Sequence, residues 1–346
     1  MAESRAGRIA GWVALGVGAA TTAAVVAQRV AVTRERSRPD PFAGERYGDV
    51  RGKPIGPVAS FDGTLLHAEE TGRGPAVVLS HGFSLNLTIW HHQMLDLSPH
   101  ARLVLYDHRG HGRSSMAASG DWSLEALARD LDAVVTEASG GEPVVLVGHS
   151  MGGMTVLKYC ELFADRLRER VAGIVLVDTT SADVVRGVLP VGRRIRAILQ
   201  VLQEGSWRLL AGKTHRVDAL RARGSDLSYL GTRIMGFGSR PSARQVDFVE
   251  EMLSAVPSEV WVQLIPAMMS LDVTHVLPEI DVPAVVMVGT RDRLTPPGAA
   301  KRIAEAIPSA RLVEFYDAGH TPMLEVPNQF NARILEFVAG LARARR

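Results

Sequence analysis

The pattern in this chain with the most direct chemical consequence is a serine with glycine two places to either side, Gly148-His149-Ser150-Met151-Gly152. Glycines at that spacing permit a sharp strand-to-helix turn, because the backbones approach too closely for a Cβ, and the turn holds the serine in a strained conformation. It lifts the Ser150 hydroxyl out of the fold. It also leaves the Met151 amide at a helix N-terminus, unpaired and aimed where a developing oxyanion would sit. A serine hydroxyl is a poor nucleophile at ordinary pH and needs a base beside it, which in turn needs an orienting acid. Acyl transfer through a covalent intermediate is therefore the chemistry to look for.

The elements that must position this turn are legible around it. Val144 to Val147 is a β-branched and apolar run suited to a strand buried on both faces, and Met154 onward reads as a helix. Further strands are expected at Ala76 to Ser80, Arg102 to Tyr106, Gly173 to Val177, Ala284 to Val288 and Arg311 to Tyr316. Val58 to Glu70, with Asp62-Gly63 in its middle, predicts a hairpin. Ser123 to Ala138 carries Leu124, Leu127, Leu131, Val134 and Val135 on one face and reads as a crossover helix, with further helices at 297–307 and about 328–341. Alternating strands and helices give an α/β class with a mostly parallel twisted sheet flanked by helices. Between Ser181 and Val276 the chain shows helical stripes (Ile195, Ile198, Leu199, Leu202; Phe248, Met252, Val256) and few strand-like runs, so a mostly helical cap is expected over the site. Leu264, Ile265, Met268, Met269 and Leu271 suit either pocket lining or cap core.

The turn around Ser150 resembles the nucleophile elbow of the α/β-hydrolase family, and other segments resemble that family in order along the chain. His81-Gly82-Phe83, after the Ala76 strand, is similar to its oxyanion loop; the resemblance implies that the Phe83 and Met151 N–H groups form the oxyanion hole. Asp107-His108-Arg109-Gly110-His111-Gly112-Arg113-Ser114 is similar to the DxRGxGxS loop, a tight turn beside the floor of the site. Histidines three apart could ligate a metal on a helix, but the glycines break one and no HExxH occurs. Gly289-Thr290-Arg291-Asp292 and Ala318-Gly319-His320 closely resemble the acid and histidine loops. The resemblance thus implies Ser150 as nucleophile, His320 as base and then acid, and Asp292 as the group that fixes the imidazole tautomer, in the family's order of serine, acid, histidine. Asp178, which also follows a strand, is left as a loop-capping residue, and Asp317 lies near His320 in sequence. The resemblance spans roughly Pro57 to Ala342 in outline, but its motifs do not reach the cap. Serine at the elbow argues against the haloalkane dehalogenase and epoxide hydrolase branches, which place aspartate there. GHSMGG with DHRGHGRSS looks most like the serine esterase and monoacylglycerol lipase branch, implying hydrolysis of carboxylic esters of hydrophobic or lipid-like substrates. A cofactor-free haloperoxidase or perhydrolase and a carbon–carbon bond hydrolase share the same triad, and a non-catalytic binding protein on this fold is the alternative of another class.

Composition narrows the rest. Of 346 residues 46% are hydrophobic and 22% charged, enough to bury a large globular core. Lys plus Arg (39) barely exceeds Asp plus Glu (37), which removes any global electrostatic case for nucleic-acid binding. The sole cysteine, Cys160, excludes an intramolecular disulfide and a cysteine zinc cluster and reads as a small core residue. His91-His92 reads as packing or surface histidines. Neither a metal nor an organic cofactor is implied. Ile9 to Ala27 has no charged residue and follows Arg5 and Arg8, while Arg29, Arg34, Arg36 and Arg38 come after. As a helix that stretch would span ~28 Å against a hydrocarbon thickness of about 30 Å, so one membrane pass fits. The arginine balance favours a cytoplasmic catalytic domain behind a single-pass anchor. A signal peptide cleaved near Val25-Val26-Ala27, giving a secreted protein, is the alternative. The expected division is an anchor at 1–33, a tether at 34–56, hydrolase core at 57–180 and 277–346, and the cap at 181–276. From Arg186 to Arg244 the cap carries twelve Lys or Arg against three acids, which reads as a solvated face or as a surface for anionic lipid headgroups.

Overall fold

The computed structural model describes residues 26–183 and 226–344. Among the described residues one eight-stranded sheet runs in the order β1-β2-β4-β3-β5-β6-β7-β8, made of β1 (Lys53–Ala59), β2 (Leu65–Thr71), β3 (Ala76–Ser80), β4 (Arg102–Tyr106), β5 (Val144–His149), β6 (Val171–Val177), β7 (Ala284–Gly289) and β8 (Ala310–Phe315). β1 and β2 pair antiparallel through the expected hairpin, and β2 lies antiparallel on β4. All other pairings are parallel. In the hairpin turn Gly63 has φ 85°, a left-handed conformation glycine adopts without penalty, and Asp62 Oδ1 accepts the Thr64 N–H.

The central strands β3, β5 and β7 are buried at every residue, which explains their unbroken apolar runs. Their side chains alternate between the two faces. Val78, Leu146, Ile174 and Val286 join one core, and Val77, Leu79, Val145, Val147, Val175 and Met287 join the other. A helix over 26–36 (α1) precedes the sheet, and α2 (His91–Leu97), α3 (Leu124–Ser139) and α4 (Met151–Leu162) connect its central strands. α3 and α4 cover the first face, whereas α2 lies on the second. The Ser123 hydroxyl caps α3 by accepting the Ala126 N–H, and Gly140 at φ 53° ends it.

The described part of the segment expected to form a cap is helical: α5 (Asp226–Gly236), α6 (Ala243–Ala255) and α7 (Ser258–Met269). Two core helices follow, α8 (Pro297–Ala306) on the first face and α9 (Pro327–Ala344) on the second. A bridge between Ala182 and Asp272 and the Val273 N–H donated to Ser181 O close the base of the cap. Phe248, Met252 and Val256 are buried, as are Leu264, Met268 and Leu271, while Ile195, Ile198, Leu199 and Leu202 lie outside the described residues. So does most of the basic stretch. Of its described members, Arg233 pairs with Glu35 and Arg244 packs over the Tyr47 ring.

Residues 9–25 also lie outside the described residues, and among the described ones no helix is long and apolar enough to cross a membrane. The segment 26–56 is attached to the cap by specific contacts. Arg36 pairs with Asp247 at 2.7 Å and lies over the Tyr229 ring. Asp40 Oδ2 accepts from Ser242 Oγ and from the Arg244 N–H at the start of α6. Tyr47 stacks on Phe248 with ring centroids 4.6 Å apart, and its hydroxyl meets His92 Nε2 at 3.2 Å. His91 and His92 are thus packing residues, buried beneath this segment.

Candidate active site

The turn from β5 into α4 has the geometry its glycines imply. Ser150 sits at φ 52° and ψ −117°, a conformation non-glycine residues rarely adopt. A Cβ on Gly148 would lie 2.5 Å from Gly152 O, and one on Gly152 only 2.2 Å from Ser80 O. The strained serine is fixed from the neighbouring strand: its N–H donates to Val177 O at 2.9 Å, and its carbonyl accepts from Thr179 Oγ1 at 2.7 Å and from the Met154 N–H at 3.0 Å. The Ser150 hydroxyl makes no hydrogen bond among the described residues, and the residue is half-buried.

Asp292 and His320 meet across the ends of β7 and β8. His320 Nδ1–H donates to Asp292 Oδ2 at 2.9 Å, which leaves Nε2 with its lone pair. Asp292 also accepts from Thr295 Oγ1 at 2.6 Å on Oδ2, and from the Leu294 and Thr295 N–H groups on Oδ1. Burial pushes this carboxyl up, but His320 and the donors of Thr295 outweigh it and hold it below its ordinary value. The histidine loop adjoins the elbow: His149 Nε2–H donates to His320 O at 2.8 Å, with ring centroids 4.8 Å apart. Asp317 points elsewhere, pairing with Arg291 and Ser239.

Asp178 is the third member of this cluster. It is fully buried, its Oδ1 accepts the Gly289 N–H at 2.9 Å, and side-chain ligand atoms of Asp178, Asp292 and His320 all lie within 4.8 Å of one another. Such a donor set is chemically compatible with a metal, but His320 Nδ1 and Asp292 Oδ2 are already bonded to each other. Burial and then the neighbouring Asp292 charge push the Asp178 carboxyl well above its ordinary value.

The Phe83 and Met151 amides make no hydrogen bond to the rest of the chain among the described residues. A Cβ on Gly82 would meet His149 Nδ1 at 2.8 Å and Ser150 Cβ at 3.1 Å, so the loop that carries Phe83 lies directly against the elbow. The Phe83 ring packs edge-on to Trp261 of α7, with centroids 4.8 Å apart. Behind this loop is a buried group of neutral histidines, His81 of the oxyanion-like loop and His108 and His111 of the DxRGxGxS-like turn. His111 Nε2 accepts the Ser84 N–H at 3.1 Å while its Nδ1–H donates to Arg109 O. His81 Nε2 accepts the His108 N–H, and its Nδ1–H donates to Gly82 O. Burial pushes His111 down to about 4 and His108 to about 3. Asp107 accepts the Leu87 and Arg113 N–H groups, and Arg109 is locked to Asp130 and Asp62 with no solvent exposure, so the loop after β4 is structural.

The cap also touches the histidine loop. Gly236 O accepts the His320 N–H and the Thr321 hydroxyl, and Glu325 accepts the Gly319 and Gly238 N–H groups. Thr295 lies in the Gly289–Pro296 segment (GTRDRLTP) and His111 in the DxRGxGxS-like loop, but neither was assigned a role at the site, and Glu325 lies in no such segment. The Asp-x-x-Thr spacing of Asp292 and Thr295 within Gly289–Pro296 suits a local side-chain turn.

The sequence profile of the alpha/beta hydrolase family matches residues 77–333. The chain is 28% identical over 270 residues to a pimeloyl-[acyl-carrier protein] methyl ester esterase of Nitrosomonas europaea, covering 77% of this chain and 96% of that protein. It is 30% identical over 294 residues to a non-heme chloroperoxidase of Streptomyces lividans, covering 82% and 99%. Among solved structures, a thermophilic esterase from Thermogutta terrifontis superposes with a TM-score of 0.67 at 25% identity, covering 84% of this chain and 99% of that one.

Proposed function

The chain belongs to the alpha/beta hydrolase family, and on that footing we propose that it is a serine hydrolase that cleaves carboxylic esters with hydrophobic, lipid-like acyl groups. The observation that carries this reading is the His320–Asp292 pair at 2.9 Å, tied through His149 to the elbow whose Ser150 is held at φ 52°. Ser150 attacks the ester carbonyl while His320 Nε2 takes its proton, and Asp292 stabilises the imidazolium that forms. The Phe83 and Met151 amides face the oxyanion of the tetrahedral intermediate. His320 then protonates the departing alcohol, leaving an acyl-enzyme on Ser150. Water, activated by the same imidazole, releases the acid. The Phe83 and Trp261 rings support an apolar wall for the acyl chain.

A second reading is favoured by the similarity to the chloroperoxidase: the same triad forming a peracid from a carboxylic acid and hydrogen peroxide. Placement on a membrane is part of the proposal, through residues 9–27 as a single-pass anchor with the catalytic domain on the cytoplasmic side; it rests on the apolar stretch and its flanking arginines.

The test is turnover of p-nitrophenyl esters from acetate to palmitate by the wild type and Ser150→Ala. Loss of at least about a thousandfold in kcat in the variant, with a preferred chain length, is expected. Equal rates in the two proteins would overturn the assignment. Peroxide-dependent peracid formation without ester turnover would favour the second reading.

A further inference from the structure

Two buried aspartates meet at the histidine, and their hydrogen bonds are unequal. Asp292 receives a donor from His320 Nδ1, from the Thr295 hydroxyl and from two backbone amides. Asp178 receives one, the Gly289 N–H on Oδ1, and its Oδ2 is buried with no hydrogen-bond partner. The other titratable groups around the pair are Glu325 from the short helix Pro322–Glu325 after β8 and His149 from the end of β5, and neither supplies a positive charge to Asp178. With all three side chains within 4.8 Å of one another, two ionised carboxylates would face a single histidine without solvent. A proton on Asp178 Oδ2 removes that repulsion and turns an orphaned acceptor into a donor toward the adjacent Asp292.

We infer that Asp178 is a positioning residue of the triad: a second carboxyl that keeps its proton and donates it to Asp292, so that the two carboxyls together present one negative charge to His320. This rests on the triad reading given above. The hydrogen bond adds a fifth donor to the Asp292 carboxylate and moderates its pull on the imidazolium. Backbone geometry agrees with a specialised role, since Asp178 sits at φ 42° directly after β6. The loop-capping part expected of Asp178 is performed by Oδ1 alone, which leaves Oδ2 for Asp292.

The experiment compares the pH dependence of kcat/KM, on the best p-nitrophenyl ester, for the full-length wild type, Ser150→Ala, Asp178→Asn and Asp178→Gly. Asparagine reproduces a neutral donor with an acceptor oxygen and tolerates φ > 0; glycine removes the side chain and suits the same backbone. The acid limb reports the neutral form of the base. In Asp178→Asn it should stay within about 0.3 pH unit of wild type, and in Asp178→Gly it should move up by about one unit, because a hydrogen bond to a charged group is lost. Infrared difference spectra of wild type against Asp178→Asn should also contain the carbonyl stretch of a protonated carboxylic acid. That readout does not depend on activity or on the glycine variant folding. A downward shift of about one unit in Asp178→Asn would mean the wild-type side chain is ionised and would overturn the inference; so would coincident limbs in the wild type and both Asp178 variants, or absence of the carboxylic acid band. Activity that survives in Ser150→Ala would instead sink the triad reading itself.

Discussion

Replacing His111 by leucine separates two effects of one buried side chain. The imidazole is fully buried, and its Nε2 is the acceptor for the Ser84 N–H, one residue beyond the Phe83 amide. Leucine fills a similar volume but leaves that N–H without a partner, at a cost of about 1–3 kcal/mol near pH 7. The second effect depends on pH. Burial pushes His111 down to about 4 from its ordinary 6.5, so as pH falls below 6.5 the unfolded chain binds a proton that the folded chain does not. The sign follows: this group subtracts stability from the wild type as pH falls, and the loss is complete only near pH 4. Between about pH 7 and pH 5.5 the subtraction amounts to about 1.2 kcal/mol, and His111→Leu escapes it. The gap between wild type and variant in urea unfolding, followed by circular dichroism, should therefore narrow by about 1.2 kcal/mol over that interval. Ester kinetics should show about a tenfold fall in kcat with KM little changed, since the loosened loop carries the Phe83 amide proposed as one donor to the oxyanion. A gap independent of pH would refute the neutral, buried state of His111. A gap that widens toward acid would mean the native protein holds it protonated.

Two further perturbations test the supports of the site. Gly152→Ala places a Cβ 2.2 Å from Ser80 O, a backbone atom that cannot rotate away. Thermal unfolding should reveal a loss of about 3 kcal/mol, and kcat should fall at least about a hundredfold as the elbow shifts. Asp130→Ala removes the bidentate partner of the fully buried Arg109 and should cost about 3–5 kcal/mol. Asp281→Ala, which breaks the exposed pair with Arg168, should cost under about 1 kcal/mol in the same denaturation assay. Similar losses in the two aspartate variants would contradict the burial argument.

The sequence by itself determined the strands, their order and the crossover helix α3, but not the helices over 26–36 and His91–Leu97. Buried parallel strands must be apolar throughout, so Ala76 to Ser80, Arg102 to Tyr106 and Ala284 to Val288 stand out as runs, and the strands over them end within a residue of the run. The Ser150 turn was legible because close backbone approach excludes a Cβ, and only glycine meets that condition. Helix α3 was legible from its apolar stripe, a local feature, and the structure adds the Ser123 cap at its start. The contacts of the expected tether at 34–56, by contrast, were not legible. They are single residues, Asp40 on the start of α6 and Tyr47 on Phe248, each about two hundred positions away and without periodicity.

Tertiary structure decided which side chains share an environment. Asp178, Asp292 and His320 are far apart in sequence, and their convergence follows from β6, β7 and β8 lying side by side with their C-terminal ends together. Nothing in a run of residues tells which of two aspartates will receive four donors and which will be left with one. The same is true of His111, whose acceptor role exists only because the loop after β4 folds against the loop after β3. Propensity and spacing act over a few residues, whereas protonation and hydrogen-bond partnership depend on groups brought together by the sheet. The chain therefore spells out its strands, its crossover helix and its candidate nucleophile, and the charge state of the groups around that nucleophile is a property of the assembled fold.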